Sequence, residues 1–482
     1  MLTTSRASSC CVQRDYVRNI YEHFLSQDET REKEEAEKID VSYICAWERN
    51  HEQCIGHKRP HELSVCYLSG PEPENDFSEL ISLGIEPQNI WAFESNNNTY
   101  LQALTSFDTS SFCQPKIVRT SIERFFETTP KQFDIVYIDA CCPLVSDQHA
   151  LRCIACMFRY HRLASPGVLI SNFAEVNISN ISDRNEYYDL ITRMELIKRF
   201  PNASLVDKNG VVIFRENYND IIEEVKQDFQ KYYGDYITSI ICDTGSISIP
   251  TLRFMNSHYL GTLTSSNPKT IPKYDFIDVN RVKYNTLYKY TISNKFLEQN
   301  GADFIGVNRC NKLVSEFSGQ WTYDLLQCFD KLYSFRNLGE DINSSLFPAL
   351  DFFNNAKNMH QFLDQPNRIL LFDAIINQLS YPMHYCSEKI KRLSYIAKQT
   401  RMYTDLVVFD ECRYIYEWLP ATHQVQNAFS NPSWQYTFRF ALDGLVKQRI
   451  KYNNEFFFQG SVVSKDVKGF EAKHIGDRIA LN

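Results

Sequence analysis

The chain has 482 residues, of which 43% are hydrophobic and 23% charged, with a formal net charge of −8. This length exceeds what one core usually serves, so more than one domain is expected, and the negative balance excludes a protein that coats nucleic acid through a global basic field, though not a local basic groove. With no charged start followed by an apolar h-region, no bilayer-length apolar run, and fifteen scattered cysteines, the sequence reads as a soluble, cytoplasmic protein in a reducing compartment.

Residues 1–61 read as a charged helical extension. The run QDETREKEEAEKID, residues 27–40, suits a solvated helix with i,i+4 charge pairs. Cys45, His51, Cys54, His57 and His61 follow within a short space, but their spacing completes none of the familiar metal-ligand pairs, so no metal is expected there.

From 62 to 217 apolar runs alternate with helical patterns. LSVCYL (63–68) reads as a strand and DFSELISLG as a short helix, with Asp76 and Glu79 as a capping box and Gly84 as C-cap. IWAFE (90–94) is a second strand, KIVRT (116–120) a third and FDIVYIDA (133–140) a fourth. The helix QHALRCIACMFRYHRL puts Cys153 and Cys156 in the core, and SPGVLISNF turns at Pro166-Gly167 into a fifth strand. After another helix (186–200), ASLVDKNGVVIFRE carries Asn209-Gly210 between apolar runs, the strongest short hairpin signal, so the last strand should run antiparallel.

A parallel α/β sheet that finishes on an antiparallel strand resembles the class I S-adenosylmethionine-dependent methyltransferases. The resemblance implies a seven-stranded Rossmann-like sheet with an antiparallel last strand, and S-adenosylmethionine as cofactor. It also implies a ligand at the carboxyl ends of the strands, near the topological switch point. The loop Ser69-Gly70-Pro71-Glu72 follows the first strand, and Glu94 ends the second, where a carboxylate can accept both ribose hydroxyls; Ser95 comes next. A dinucleotide site would want more glycines, and Glu72, Glu74 and Asp76 would repel a diphosphate while favouring an ammonium and a sulfonium. Ser121 and Ile122 fall where the family contacts adenine, and Asp139 where it places catalytic or substrate-facing residues.

The acceptor is less legible. Asp139-Ala140-Cys141-Cys142 lacks the Asp/Asn-Pro-Pro-aromatic tetrad of enzymes that methylate exocyclic base amines. Cys142 aligns with a cysteine of the RNA cytosine-C5 methyltransferases, but Ser171-Asn172-Phe173 offers no second cysteine for their covalent mechanism. Transfer to oxygen or nitrogen needs only alignment and proton removal, for which Asp139 suffices, with His149 and His161 as possible assistants.

Residues 218–482 read as a mainly helical domain for substrate or partner recognition, with helices over DIIEEVKQDFQKYY, NRILLFDAIINQL, SEKIKRLSYIAKQTRMYTDLVVF and QYTFRFALDGLVKQRI. Within the third, Lys389, Lys391, Arg392, Lys398 and Arg401 interleave with Tyr395 and form a candidate nucleic-acid contact, or else a solvated helix face. The rival to a working enzyme is a methyltransferase-like module that only binds or senses a nucleotide.

Overall fold

The computed structural model describes residues 9–110, 116–177 (save 145 and 147–149), parts of 184–195, 214–250, 253, 381–418, 431–446, 468–470 and 474–481. The expected hairpin at Asn209-Gly210, the helix at 367–379 and His149 lie outside them.

Three helices open the described chain: α1 (Tyr16–Leu25), α2 (Arg31–Ala36) and α3 (Val41–Ile55). The charged run yields only the six-residue α2, capped by Thr30, whose hydroxyl accepts from the Lys33 N–H. The alternating region follows as β1 (Val65–Leu68), α4 (Glu74–Ser82), β2 (Ile90–Phe93), α5 (Asn97–Thr109), β3 (Lys116–Val118), α6 (Ile122–Thr128), β4 (Phe133–Asp139), α7 (Ala150–Arg159) and β5 (Leu163–Ala174). Helices α8 (Phe214–Gln227) and α9 (Phe229–Asp243) come next, then β6 (His384–Tyr385), β7 (Lys391–Ala397), β8 (Thr400–Asp410), α10 (Arg413–Tyr416), α11 (Pro432–Val446) and β9 (Ile479–Ala480).

The described strands make one sheet of nine, in the order β3-β2-β1-β4-β5-β8-β7-β9, with β6 also on β8. β1 to β5 are mutually parallel, β8 is antiparallel to β5 from Gly167↔Phe409 to Ala174↔Met402, and β7 is antiparallel to β8. This is a mixed α/β fold with a parallel-dominated sheet and an inserted antiparallel strand, consistent with the Rossmann-like sheet that the resemblance implied.

The antiparallel strand comes from a different part of the chain than expected. Phe214, read as part of the last strand, begins α8, and the segment 387–409, read as a basic helix, is the hairpin β7–β8. Its turn, Lys398-Gln399, has both φ angles positive, at 46° and 72°. Two such residues in a two-residue loop match strand twist, but without asparagine or glycine they leave no turn signal. Leu406, Val407, Val408 and Phe409 bury both faces of β8, and that burial outweighs the helix preference of the lysines, arginine and alanine around β7. The sheet therefore crosses the expected boundary at 217.

Two cores cover the two faces. One packs α6, α7 and α9 against Cys66, Val136, Leu169 and Val407, and the other packs α1, α3, α10 and α11 against Val65, Tyr67, Ile135 and Val408. Odd and even strand positions part between them as the pleat requires. Cys153 and Cys156 are buried on α7 as expected. No helix among the described residues is long and apolar enough to cross a membrane.

Candidate active site

Because β1 to β5 are parallel, their carboxyl ends share one edge. β1 leads to β2 and β3 on one side and neighbours β4 and β5 on the other, so the topological switch point, where open sheets of this kind form their ligand crevice, falls between the loops that leave β1 and β4. Backbone bonds lock this edge: Ser69 N–H donates to Phe93 O at 3.0 Å, Glu94 N–H to Val118 O at 3.2 Å and Ala140 N–H to Asn172 O at 3.2 Å.

On the β1 side, Ser69 is buried and Gly70 sits at φ +59°, with nothing within 4 Å of where a Cβ would stand. The glycine is required by its left-handed backbone and leaves open space above the loop. Pro71 and Glu72 are exposed, and Glu72 accepts from Asn75 Nδ2 at 3.3 Å. Helix α4 begins at Glu74 with Pro73 as N-cap, so Asp76 does not cap it. It lies in the first turn, and its carboxyl is pushed above the usual range by burial and by the charge of Asp139. The C-cap is Leu83, one residue before the expected Gly84, which follows at φ +88° with its N–H on Ile81 O.

Glu94 stands at the tip of β2, half-buried. Its Oε1 accepts the Asn96 N–H at 2.6 Å, and Oε2 has no hydrogen bond among the described residues. Ser95 is exposed, and Asn96 caps α5 by accepting from Asn98 and Thr99. Ser121 caps α6, its hydroxyl accepting from Arg124 N–H at 3.3 Å, while the Ile122 side chain turns into the core at 2% exposure. Only the backbone of Ile122 is thus open to a role at this edge.

Asp139 ends β4 in a network that sequence reasoning missed. Thr404 Oγ1 donates to Asn172 Oδ1 at 2.9 Å, which fixes the amide. Both Asn172 Nδ2 hydrogens are then directed, one to Asp139 Oδ1 at 3.0 Å and one to the Tyr395 hydroxyl at 2.9 Å. Cys141 Sγ donates to the same Asp139 oxygen at 3.1 Å. Tyr395 accepts from Asn172, which leaves its own O–H available as a donor. Tyr137, two residues before Asp139, is pushed up by burial and by the charges of Asp139 and Asp76. In the sequence Asn172 stands out only as a non-cysteine after the fifth strand and Tyr395 only as part of a helical pattern; no local signal ties either to Asp139.

The other candidates disperse. Cys142 is buried at 3% with its thiol pushed up by burial, which does not suit a nucleophile. Cys141 is exposed, but burial of the thiol and the Asp139 carboxylate raise it to about 11. His161 lies before β5, at the opposite edge of the sheet, and pairs with Glu411 at 3.3 Å, so it cannot assist Asp139. Of the basic cluster, Arg392 is paired with Asp235 and Arg401 lies 3.7 Å from Glu175. Lys391 and Lys398 are exposed and Lys389 is half-buried. Lys398, at the hairpin tip, is near enough to Cys141 for its charge to be felt there.

Cys45, His51, Cys54, His57 and His61 do not converge on one another. Cys45 receives Arg18 Nη2 at 3.3 Å, Cys54 meets Glu417 at 3.4 Å, and His51 is buried with Nε2 2.9 Å from Val12 O, its pKa lowered by burial. His57 is exposed and His61 half-buried, its carbonyl accepting from Asn89.

No protein-family model matches the chain. No curated protein matches it either. Among solved structures, it is similar to TrmN from Thermus thermophilus, with 11% identity over 23% of this chain and 33% of that one and a TM-score of 0.20. It is also similar to an S-adenosylmethionine-dependent methyltransferase from Clostridium acetobutylicum, with 15% identity, coverage of 33% and 58%, and a TM-score of 0.19. Magnesium protoporphyrin IX methyltransferase from Synechocystis, solved with bound SAM, gives 13% identity, coverage of 34% and 74%, and a TM-score of 0.19. The chain spans less than two thirds of the first two. TM-scores this low carry no inference about activity, which has to come from the crevice itself.

Proposed function

We propose that the chain is an S-adenosylmethionine-dependent methyltransferase acting on an oxygen or nitrogen acceptor, with Asp139 taking the acceptor's proton. The observation that carries this reading is the hydrogen-bonded Asp139 at the tip of β4, beside the switch point, with Asp76 near enough that the charge of Asp139 adds to burial in raising its carboxyl. Two carboxylates held close at the carboxyl edge favour a cation between them and disfavour a diphosphate. Gly70, with open space above it, and the uncommitted Oε2 of Glu94 fit the amino acid and ribose ends of the same molecule.

When bound, S-adenosylmethionine supplies an already activated methyl group, so the protein has to align and deprotonate the acceptor. Asn172, fixed by Thr404, holds Asp139 Oδ1 in place, and Tyr137 hydrogen-bonds the same carboxylate, so the side chain is oriented to receive a proton. The Tyr395 hydroxyl donates to the acceptor's oxygen or nitrogen environment and orients it. Lys398 at the mouth suits an acceptor that carries phosphate, with Lys389, Lys391, Arg392 and Arg401 farther along the hairpin as a weaker, partly paired supplement.

Calorimetry with S-adenosylmethionine, with NADH as control, tests the pocket. Saturable binding of the former alone is expected, and Glu94→Ala should abolish it; binding of NADH, or of neither, overturns the reading. Labelled methyl transfer to nucleic acid, protein and small-molecule pools then separates an enzyme from a binding module, the latter showing affinity without turnover.

A further inference from the structure

At the far end of β8 from the crevice, three cysteines from distant parts of the chain meet in the interior. Cys11 comes from the segment before α1, Cys386 follows β6 and Cys412 follows β8. They are 3%, 1% and 0% exposed. Cys11 Sγ lies 3.1 Å from Cys386 Sγ, and the donor atoms of Cys11, Cys412 and Asp410 all lie within 4.8 Å of one another.

Asp410 organises the group. Its Oδ2 accepts the Cys11 N–H at 3.0 Å and the Tyr414 hydroxyl at 2.7 Å, and its Oδ1 accepts the Cys412 N–H at 2.9 Å and the Ser165 hydroxyl at 3.0 Å. One carboxylate therefore fixes the backbone of two cysteines whose thiols face each other. Cys412 itself has φ +53° and ψ 39°, a left-handed conformation in which glycine would be unstrained. A cysteine held there at a cost of about 1–2 kcal/mol brings only its thiol to the position. Small buried hydrophobes would need neither that backbone nor the shared carboxylate.

We propose that Cys11, Cys386 and Cys412 form a trithiolate site for a soft, thiophilic divalent cation of the zinc class, with Asp410 as the fourth donor. Thiolate sulfur selects such ions, and zinc takes sulfur at about 2.3 Å and carboxylate oxygen at about 2.0–2.2 Å in a tetrahedron. Sulfurs in that geometry stand about 3.8 Å apart, so Cys11 and Cys386 open by under about 1 Å, Cys386, which lies outside the 4.8 Å group of Cys11, Cys412 and Asp410, turns inward to join it, and Asp410 exchanges one of its four hydrogen bonds for the ion. On binding, three S–H bonds give up their protons to solvent and three S–metal bonds form, with no change in oxidation state. At 3.1 Å the Cys11–Cys386 pair is well short of a disulfide, and a disulfide would leave Cys412 and Asp410 without a role. The ion would pin the N-terminal segment to β6 and β8 across a separation of 375 residues.

The full chain, purified without chelator from zinc-supplemented medium, is assayed by plasma mass spectrometry. Roughly one zinc per chain is expected. Cobalt exchange should give a sulfur-to-cobalt charge-transfer band, and Cys386→Ser or Cys412→Ser should lower zinc content at least tenfold, whereas Cys66→Ala, buried elsewhere, should leave it unchanged. Should the serine variants not fold, chelator treatment of the unaltered chain decides: its melting temperature must fall and recover when zinc is restored. A wild-type chain that retains under about a tenth of an equivalent and takes up neither zinc nor cobalt overturns the proposal. So does mass mapping that recovers a Cys11–Cys386 disulfide from the native protein.

Discussion

Asp139 and Asp76 are where the proposed activity is most exposed to test. Asp139→Asn keeps the shape of the side chain but removes its basicity, so turnover should fall by about 10²–10⁴ while calorimetric affinity for S-adenosylmethionine changes little. Asn172→Ala should reduce turnover less, by releasing Asp139 and Tyr395 together. Asp76 makes a prediction about pH. Its folded pKa is raised by burial and then by Asp139, so the folded state holds the proton longer than the unfolded chain does. The group is neutral in both states in acid, and stability is lost as pH rises from the ordinary carboxylate pKa through the raised one. Asp76→Asn should therefore melt higher than wild type at neutral pH in a scanning calorimeter, with the gap closing in acid, and should bind the cationic cofactor less well. A gap that instead widened in acid would mean that Asp76 is stabilised as a carboxylate.

At the scale of elements, the β7–β8 hairpin is the most informative piece. It carries Tyr395 and Thr404 into the site, yet its turn is built from Lys398 and Gln399 in a backbone that asparagine and glycine adopt more easily. Replacing Lys398-Gln399 with Asn-Gly should raise unfolding stability by about 0.5–1 kcal/mol in urea titration, through relief of two left-handed residues. Transfer to a phosphate-bearing acceptor should weaken at the same time, with a shallower salt dependence, because Lys398 is gone. This element also marks the limit of pattern reading. β1, β2 and β4 were legible because short apolar runs ended in turn residues or acids, whereas β7 carries charged and helix-favouring residues and is held as a strand by β8, whose own partner β5 is over two hundred residues away.

Across the whole molecule, the C-terminal tail is tied to the sheet by a buried charge. Arg478 lies 2.7 Å from Asp405, which is fully buried in β8, and also donates to Leu393 O at 2.8 Å and Gly234 O at 2.9 Å. Thr238 Oγ1 donates to the other oxygen of Asp405 at 2.6 Å. Arg478→Met would leave a carboxylate in the core without its cation and should cost about 3–5 kcal/mol in chemical denaturation, whereas changing both residues to apolar ones should recover much of the loss. β9, which follows Arg478 onto the edge of β7, should loosen in the single variant and show faster amide exchange.

The sequence by itself determined the order β1 to β5, the glycine loop after β1, the acid at the tip of β2 and the aspartate at the tip of β4. Each depends on residues close in the chain: strand periodicity, a positive-φ glycine, a carboxylate at a strand end. Tertiary structure alone decided which distant strand runs antiparallel beside β5, that Asn172 and Tyr395 orient Asp139, that Asp76 lies in the first turn of α4 instead of capping it, and that Cys11, Cys386 and Cys412 converge. Those outcomes arise from sheet register and burial between segments tens to hundreds of residues apart, and register is settled only when the two faces of the sheet find their cores.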